Sequence, residues 1–182
     1  ARENISAIDT MLTTNALPDS VGGCGAVKSA LRIGKVLDTA LTDVTQYRGN
    51  AAELDKRGFK LEDGKIWLKL SSAVRMQLMV PYDTERAKRV DDHTLVPKIT
   101  YGQHRVLLLN NCGTGCQREL VDADLHADVM QLAQHAQEEA NGDKLLDLVQ
   151  PSIAIASVGF GNAERLPKRD MILKLNQRRI KL

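Results

Sequence analysis

Asp63-Gly64 stands between two short alternating runs, Phe59-Lys60-Leu61-Glu62 and Lys65-Ile66-Trp67-Leu68-Lys69-Leu70. A two-residue Asp-Gly connection supplies the positive-φ positions of a type I′ turn, whose twist matches that of the strands it joins. The spacing therefore predicts an antiparallel hairpin near the middle of the chain. Val74-Arg75-Met76-Gln77-Leu78-Met79-Val80 alternates in the same way and reads as a third strand, stopped by Pro81. Thr94 to Thr100 and His104 to Asn110 form a second expected hairpin around Tyr101-Gly102-Gln103. Pro97 lacks a ladder donor, which predicts an edge or a bulge there.

On either side of these strands the apolar period lengthens. Val27, Leu31, Val36, Leu37, Leu41 and Val44 recur at near-helical spacing, which predicts a long helix over Gly25–Tyr47, with Gly34 marking a close contact inside it. Leu120, Leu125, Val129, Leu132 and Ala136 predict a second long helix over Gln117–Ala140, ended by Asn141-Gly142. Shorter helices are expected over Ile5–Leu12, Ala51–Lys56 and Lys144–Gln150. Ser152 to Phe160, with Ile153-Ala154-Ile155-Ala156-Ser157-Val158, reads as a buried strand, and Met171–Leu175 is a last strand or helix. The expected fold is α+β, a mostly antiparallel sheet packed against two long helices. A chain of 182 residues fits a single domain, 1–182, with 165–182 as a basic C-terminal segment.

Aromatic residues are only 3% of the chain, so the core has to be built from aliphatic side chains and Met. The same scarcity leaves few stacking platforms for single-stranded nucleic acid. Three cysteines are too few for a disulfide framework, and no apolar run reaches a membrane span. With no secretory leader read in its first residues, the chain is expected to be soluble and cytoplasmic.

Charge is segregated. The segment from Arg165 holds Arg165, Lys168, Arg169, Lys174, Arg178, Arg179 and Lys181 against Asp170, a net +6 in a chain whose total is +2. Eight acids between Gln117 and Asp147 face only Arg118 and Lys144. The basic tail and the acidic stretch either serve an anionic ligand or find each other.

Three sets of residues are candidates for chemistry. Cys24 lies between glycines at the expected start of a long helix, where the helix dipole favours a thiolate and free amides can hold an oxyanion. Gly23-Cys24-Gly25 before a helix is similar to the nucleophile position of papain-like cysteine enzymes. That resemblance implies a histidine opening a later strand, a place His104 occupies, with Asn110 to orient it. It departs from the family pattern in lacking the aromatic after the nucleophile and the upstream Gln. Gly113-Thr114-Gly115 joins a strand to a helix and can turn amides toward a small anion, although Arg118 stands where a dinucleotide fingerprint needs glycine. Cys112 and Cys116 do not have zinc-knuckle spacing, and no metal or cofactor is expected.

Lys168, Arg169, Lys174, Arg178, Arg179 and Lys181 are the third set, suited to phosphates or an acidic partner. With no complete catalytic set in view, the favoured reading is a non-enzymatic assembly or interaction protein. It presents a basic surface to nucleic acid, an acidic protein or an acidic membrane face. A viral, phage, secretion-associated or effector protein, and a homo-oligomer, fit that reading. The alternatives are the thiol enzyme and the small-anion module.

Overall fold

The computed structural model describes residues 5–15, 17–37, 60–62, 65–79, 93–120 and 123–182. Its first unit is a parallel pair, β1 (Ala7–Leu12) and β2 (Arg32–Leu37), joined through two short helices, α1 (Pro18–Val21) and α2 (Cys24–Ala30). The helix expected over Ile5–Leu12 is thus a strand. The long helix expected over Gly25–Tyr47 stops at Ala30, because Leu31 turns to extended geometry with φ −132°. The next residues, Ile33 and Val36, carry β-branched side chains that suit a pleated surface. Residues 38–47 lie outside the described residues, as does the helix expected over Ala51–Lys56. Gly34 does mark a close approach, but between strands. A Cβ there would stand 2.7 Å from the Asp9 carbonyl oxygen.

The second unit is a seven-stranded sheet of order β3-β4-β5-β6-β7-β8-β9. Strands β3 (Lys60–Glu62), β4 (Lys65–Lys69), β5 (Val74–Met79), β6 (Val96–Tyr101) and β7 (His104–Leu108) run antiparallel in sequence order. The register Glu62↔Lys65 leaves the two residues of Asp63-Gly64, themselves outside the described residues, to make the connection. Gly102, at φ +59°, supplies the left-handed position between β6 and β7. Strand β6 is interior instead of an edge. Pro97 lies one residue before the first β6–β7 pair, Lys98↔Leu107, where a missing N–H does least harm.

The remaining strands, β8 (Val129–Gln131) and β9 (Ile153–Ile155), run parallel to β7. Helix α3 (Thr114–Arg118) lies between β7 and β8, and α4 (Asp143–Val149) between β8 and β9. The sheet is therefore partly parallel, and the long helix expected over Gln117–Ala140 is replaced by α3, a connecting segment, β8 and a turn. Leu125, Val129, Leu132 and Ala136 keep a helical spacing by coincidence. Their stretch of backbone is tied to neighbouring elements instead: Ala127 N–H donates to Val149 O of α4 at 3.1 Å, and Leu132 N–H to Ile155 O of β9 at 2.9 Å.

The basic segment folds as α5 (Arg169–Gln177) and returns to the sheet edge. There Ala154 N–H donates to Lys181 O at 2.7 Å, and Lys181 N–H to Ser152 O at 3.0 Å. Met171, Leu175 and Ile180 are buried, whereas Ile172 and Leu173 face outward.

Two aliphatic clusters sandwich the large sheet. One joins Val96, Leu107, Leu109, Met130, Leu132 and Ala154 to Leu145, Leu146 and Val149 of α4 and to Met171 and Leu175 of α5. The other packs Ile66, Leu68, Met76 and Leu78 against Leu37 and Leu12 of the β1–β2 pair. Among the described residues neither contains an aromatic side chain, in keeping with the composition.

Candidate functional site

A pocket of about 430 Å³ lies between the end of β1 and the residues that follow β7, β8 and β9. In sheets with parallel strands, ligands bind in the crevice beyond the carboxyl ends of those strands. Asn110 and Asn111 come from the end of β7, Gln131 and His135 from β8 and beyond, and Ser157 from beyond β9. Thr13, Thr14 and Ser20 close the opposite wall over a floor of Leu12, Met76, Pro97 and Leu108. Among the described residues the lining holds amides, hydroxyls and one imidazole, with no Asp, Glu, Lys or Arg.

Strain gathers at this pocket. Asn110, Gln134, His135 and Ala136 all have positive φ, at 49°, 47°, 55° and 67°. Each such non-glycine residue costs about 1–2 kcal/mol, so the surroundings have to hold the loop in place. Gln134 N–H donates to Asn110 O at 2.7 Å, tying the β8 loop to the β7 loop. Asn141, 0% exposed, makes a three-bonded clamp. Its Oδ1 accepts from Ala133 N–H at 2.9 Å, and its Nδ2 donates to Ala133 O at 2.9 Å and to Gln137 O at 2.6 Å. His135 Nδ1 stands 2.9 Å from Ser157 O. A carbonyl can only accept, so Nδ1 carries the proton and the ring is fixed by the strand next door. Gln131 Oε1 accepts from Asn110 N–H at 3.3 Å, and Asn111 Nδ2 donates to Ser20 Oγ at 3.5 Å.

The residues singled out from the sequence fall in different places. Cys24 is the first residue of the seven-residue α2, half-buried and unpaired in any disulfide, with Sγ 3.9 Å from Ser20 O. His104 opens β7 at the turn, exposed and opposite Tyr101. Asn110 lies past the other end of β7. Six residues of extended chain, about 20 Å, separate it from His104. The structure therefore does not bring Asn110 to His104, and the papain-like grouping is not assembled around that pair. The seven-residue α2 also replaces the long helix on which the thiol argument stood.

Gly113, Thr114 and Gly115 start the five-residue α3, and Gly113 is buried as its N-cap. Cys112 and Cys116 are joined in a disulfide across this turn, with Cα atoms 5.3 Å apart. Both are 0% exposed. Gln117 Nε2 donates to Cys112 O and Ala140 O at 3.0 and 2.7 Å. The turn is closed by the protein's own groups, and the disulfide corrects the expectation of unpaired thiols there.

The basic set divides. Lys174 pairs with Glu138 at 3.2 Å, and Arg178 bridges Asp143 and Asp147 of α4 at 2.7 and 2.6 Å. Those two cations are spent on the acidic stretch. Lys168 caps α5 and Arg169 begins it, while Arg179 and Lys181 follow it. All four, with Arg165, are exposed and have no acidic partner among the described residues. Among the described residues, no three His, Cys, Asp or Glu side chains converge as a metal site, and no helix is long and apolar enough to cross a membrane.

Sequence reasoning missed His135, Gln131, Ser157 and Asn141 as site residues. The left-handed geometry that defines their loop is carried by residues other than glycine, so it leaves no mark in the sequence.

These features define a mixed α+β protein with a neutral, polar pocket at the ends of its parallel strands. No family model matches the chain, and no curated protein matches it. Its fold resembles in part a solved structure titled CmlA beta-hydroxylase E377D mutant, with a TM-score of 0.45 and 13% identity. The match covers 82% of this chain and 36% of that one, so this chain spans about a third of the length of that protein.

Proposed function

We propose that the protein is a binding module whose pocket takes a small, uncharged, hydrogen-bonding ligand. The observation that carries this reading is the lining of the roughly 430 Å³ pocket, which among the described residues is amides, hydroxyls and one imidazole over an aliphatic floor. Such a wall matches donors and acceptors with a polyol or an amide, and it offers no counter-charge to a carboxylate or phosphate. The strained, clamped loop supports the same reading, since backbone strain concentrates where a side chain has to be presented.

Thermal-shift titration with uncharged sugars, nucleosides and blocked amino-acid amides, beside phosphate and acetate, tests it. A neutral compound at a hundred times its Kd adds about 2.7 kcal/mol of stability. Leu108→Trp, which fills the floor, should abolish the shift while the protein stays folded. Stabilisation by the charged compounds alone, or a shift indifferent to Leu108→Trp, would overturn the proposal.

A second reading, an interaction protein for an anionic partner, is favoured by Arg165, Lys168, Arg169, Arg179 and Lys181, the exposed cations without an acidic partner among the described residues. The Cys112–Cys116 disulfide supports an oxidising compartment over the cytoplasmic one expected from cysteine count.

A further inference from the structure

We propose that the loop following β9 is a membrane-contacting finger that inserts Phe160 into an anionic lipid surface. Phe160 is as exposed as a free residue, at 111% of the reference, and Val158 beside it is 37% exposed. Leaving a large aromatic fully in water is unusual in a chain so poor in aromatics.

The loop is also built to hold that side chain out. Asn162 Nδ2 donates to Gly159 O at 3.1 Å and to Leu166 O at 2.8 Å, and its Oδ1 accepts from Leu166 N–H at 2.8 Å. Its backbone closes the turn on both sides, through Asn162 N–H to Gly159 O at 3.2 Å and Arg165 N–H to Asn162 O at 3.0 Å. Phe160 therefore sits on a stapled turn, and Gly161, at φ +64°, permits the bend next to it.

Cations flank the finger along the chain and at the sheet edge that leads into it. Arg165, Lys168 and Arg169 follow within nine residues, and Lys181 pairs in parallel register with Ile153 on the strand that leads into the loop. Paired residues in a ladder share a face, so Lys181 stands beside exposed Ile153. Of the acids in the same stretch, Glu164 is engaged by Gln137 Nε2 at 3.1 Å, and Asp170 stands in the first turn of α5. An apolar tip with a basic collar complements an anionic bilayer interface, where the cations meet headgroups and the ring passes below them. A convex tip favours a bilayer over a peptide, which needs a groove to lie in. Ser157, three residues before Phe160, lines the pocket, but Val158, Phe160 and the cations do not, so the two sites can be tested apart.

The test is co-sedimentation of the full chain with phosphatidylcholine vesicles, with and without phosphatidylserine. Binding is expected only with phosphatidylserine, and it should weaken as salt rises. Phe160→Ser should lower partitioning about tenfold, and Lys168→Glu with Arg169→Glu about fivefold for each charge removed. Phe160→Ser should leave the melting temperature unchanged, because the ring is out of contact. Leu108→Trp should bind vesicles like the parent, which separates this finger from the pocket. No binding to phosphatidylserine vesicles would overturn the proposal, and so would binding that Phe160→Ser leaves intact. A protein partner for the finger would give the first of these results.

Discussion

The antiparallel half of the large sheet, β3 to β7, and its parallel half, β7 to β9, are stabilised in different ways. Short connections join β3 to β4, β4 to β5 and β6 to β7, and from β5 to β7 exposure falls away from the end that carries the Tyr101–His104 turn. In β7, for example, Leu107 is buried while His104 is exposed. The parallel strands are three residues long and depend on α3, α4 and α5 to bury them. Among the described residues the cluster on the helical side holds twenty-one buried residues and the cluster under the β1–β2 pair holds six. Most of the molecule's burial thus lies with the half whose hydrogen-bonded strands are shortest, and the pocket opens at the carboxyl ends of that half. Short parallel strands are stable only as part of the whole layer, so that half should unfold as one unit.

The largest effects should come from breaking this dependence. Ending the chain at Arg165 removes α5 and exposes the cluster side of β9, and insoluble protein is expected on expression. Leu175→Ala, at a site 0% exposed, should cost about 2–5 kcal/mol in chemical denaturation. Tyr101→Ala, at the 60% exposed turn of the antiparallel half, should stay within about 0.5 kcal/mol. If hydrogen exchange found the β8 and β9 amides opening more easily than those of β3 and β4, the comparison would be reversed.

Asn141→Ala comes next. It leaves the Ala133 N–H and the Ala133 and Gln137 carbonyls without the clamp, and about 3 kcal/mol should be lost. The loss should be accompanied by weaker ligand protection, since the same clamp holds the loop bearing His135. Full stability together with unchanged binding would show that the left-handed loop holds itself.

The two halves were also unequally legible. Strands β4 to β7 follow from alternation and from two turn signals, Asp63-Gly64 and Tyr101-Gly102-Gln103. Their residues alternate in type, and a period of two records it even where, as from Met76 to Met79, successive residues are all buried. Strand β8 was hidden because three residues are too few for alternation to show, and Leu125, Val129 and Leu132 happen to fall at helical intervals. Helix α2 does begin where Val27 and Leu31 place it, but nothing local announces the switch to β2 at Arg32. The disulfide was hidden for a related reason. Only when α3 forms do positions 112 and 116 come within bridging distance. Of the candidate site, Asn110 was singled out, but for a role that needs His104 beside it. The pocket residues come from three strand ends, and only the topology brings them together.

A smaller effect separates the halves electrostatically. Lys98 of β6, 4% exposed, donates to Asp124 Oδ2 at 2.9 Å and to Asp124 O at 2.7 Å, linking the antiparallel half to the segment before β8. The Lys98 hydrogen bond is the main cause that holds the Asp124 carboxyl below its ordinary value, against the opposing effect of burial. A depressed carboxyl contributes stability that is present above its unfolded pKa, about 3.9, and lost as pH falls through the lower folded value. Asp124→Asn leaves Lys98 buried without its anion and should cost about 2 kcal/mol at neutral pH. Lys98→Met removes the buried charge itself and should cost less, while flattening the acid limb of the stability curve. Equal losses from the two variants would mean that the pair acts only through packing.

The smallest effect concerns what holds α5. Arg178 bridges Asp143 and Asp147, yet those carboxylates are 66% and 65% exposed, so the pair is screened by water and salt. Arg178→Ala should therefore cost no more than about 1 kcal/mol, and the loss should shrink as salt rises. Met171 and Leu175 carry the docking energy, and Arg178 chiefly sets how α5 lies along α4. The same geometry decides which charges to reverse in a polyanion experiment. Reversing Arg178 would place a carboxylate against two others and confuse folding with binding. Reversing Lys168, Arg169, Arg179 and Lys181 touches only exposed cations without an acidic partner among the described residues, and should move the melting temperature little. If heparin retention at low salt survives that fourfold reversal, the exposed cations are not a binding surface. If it disappears while Arg178→Ala retains it, the basic segment has divided its charges between internal docking of α5 and an external anionic partner.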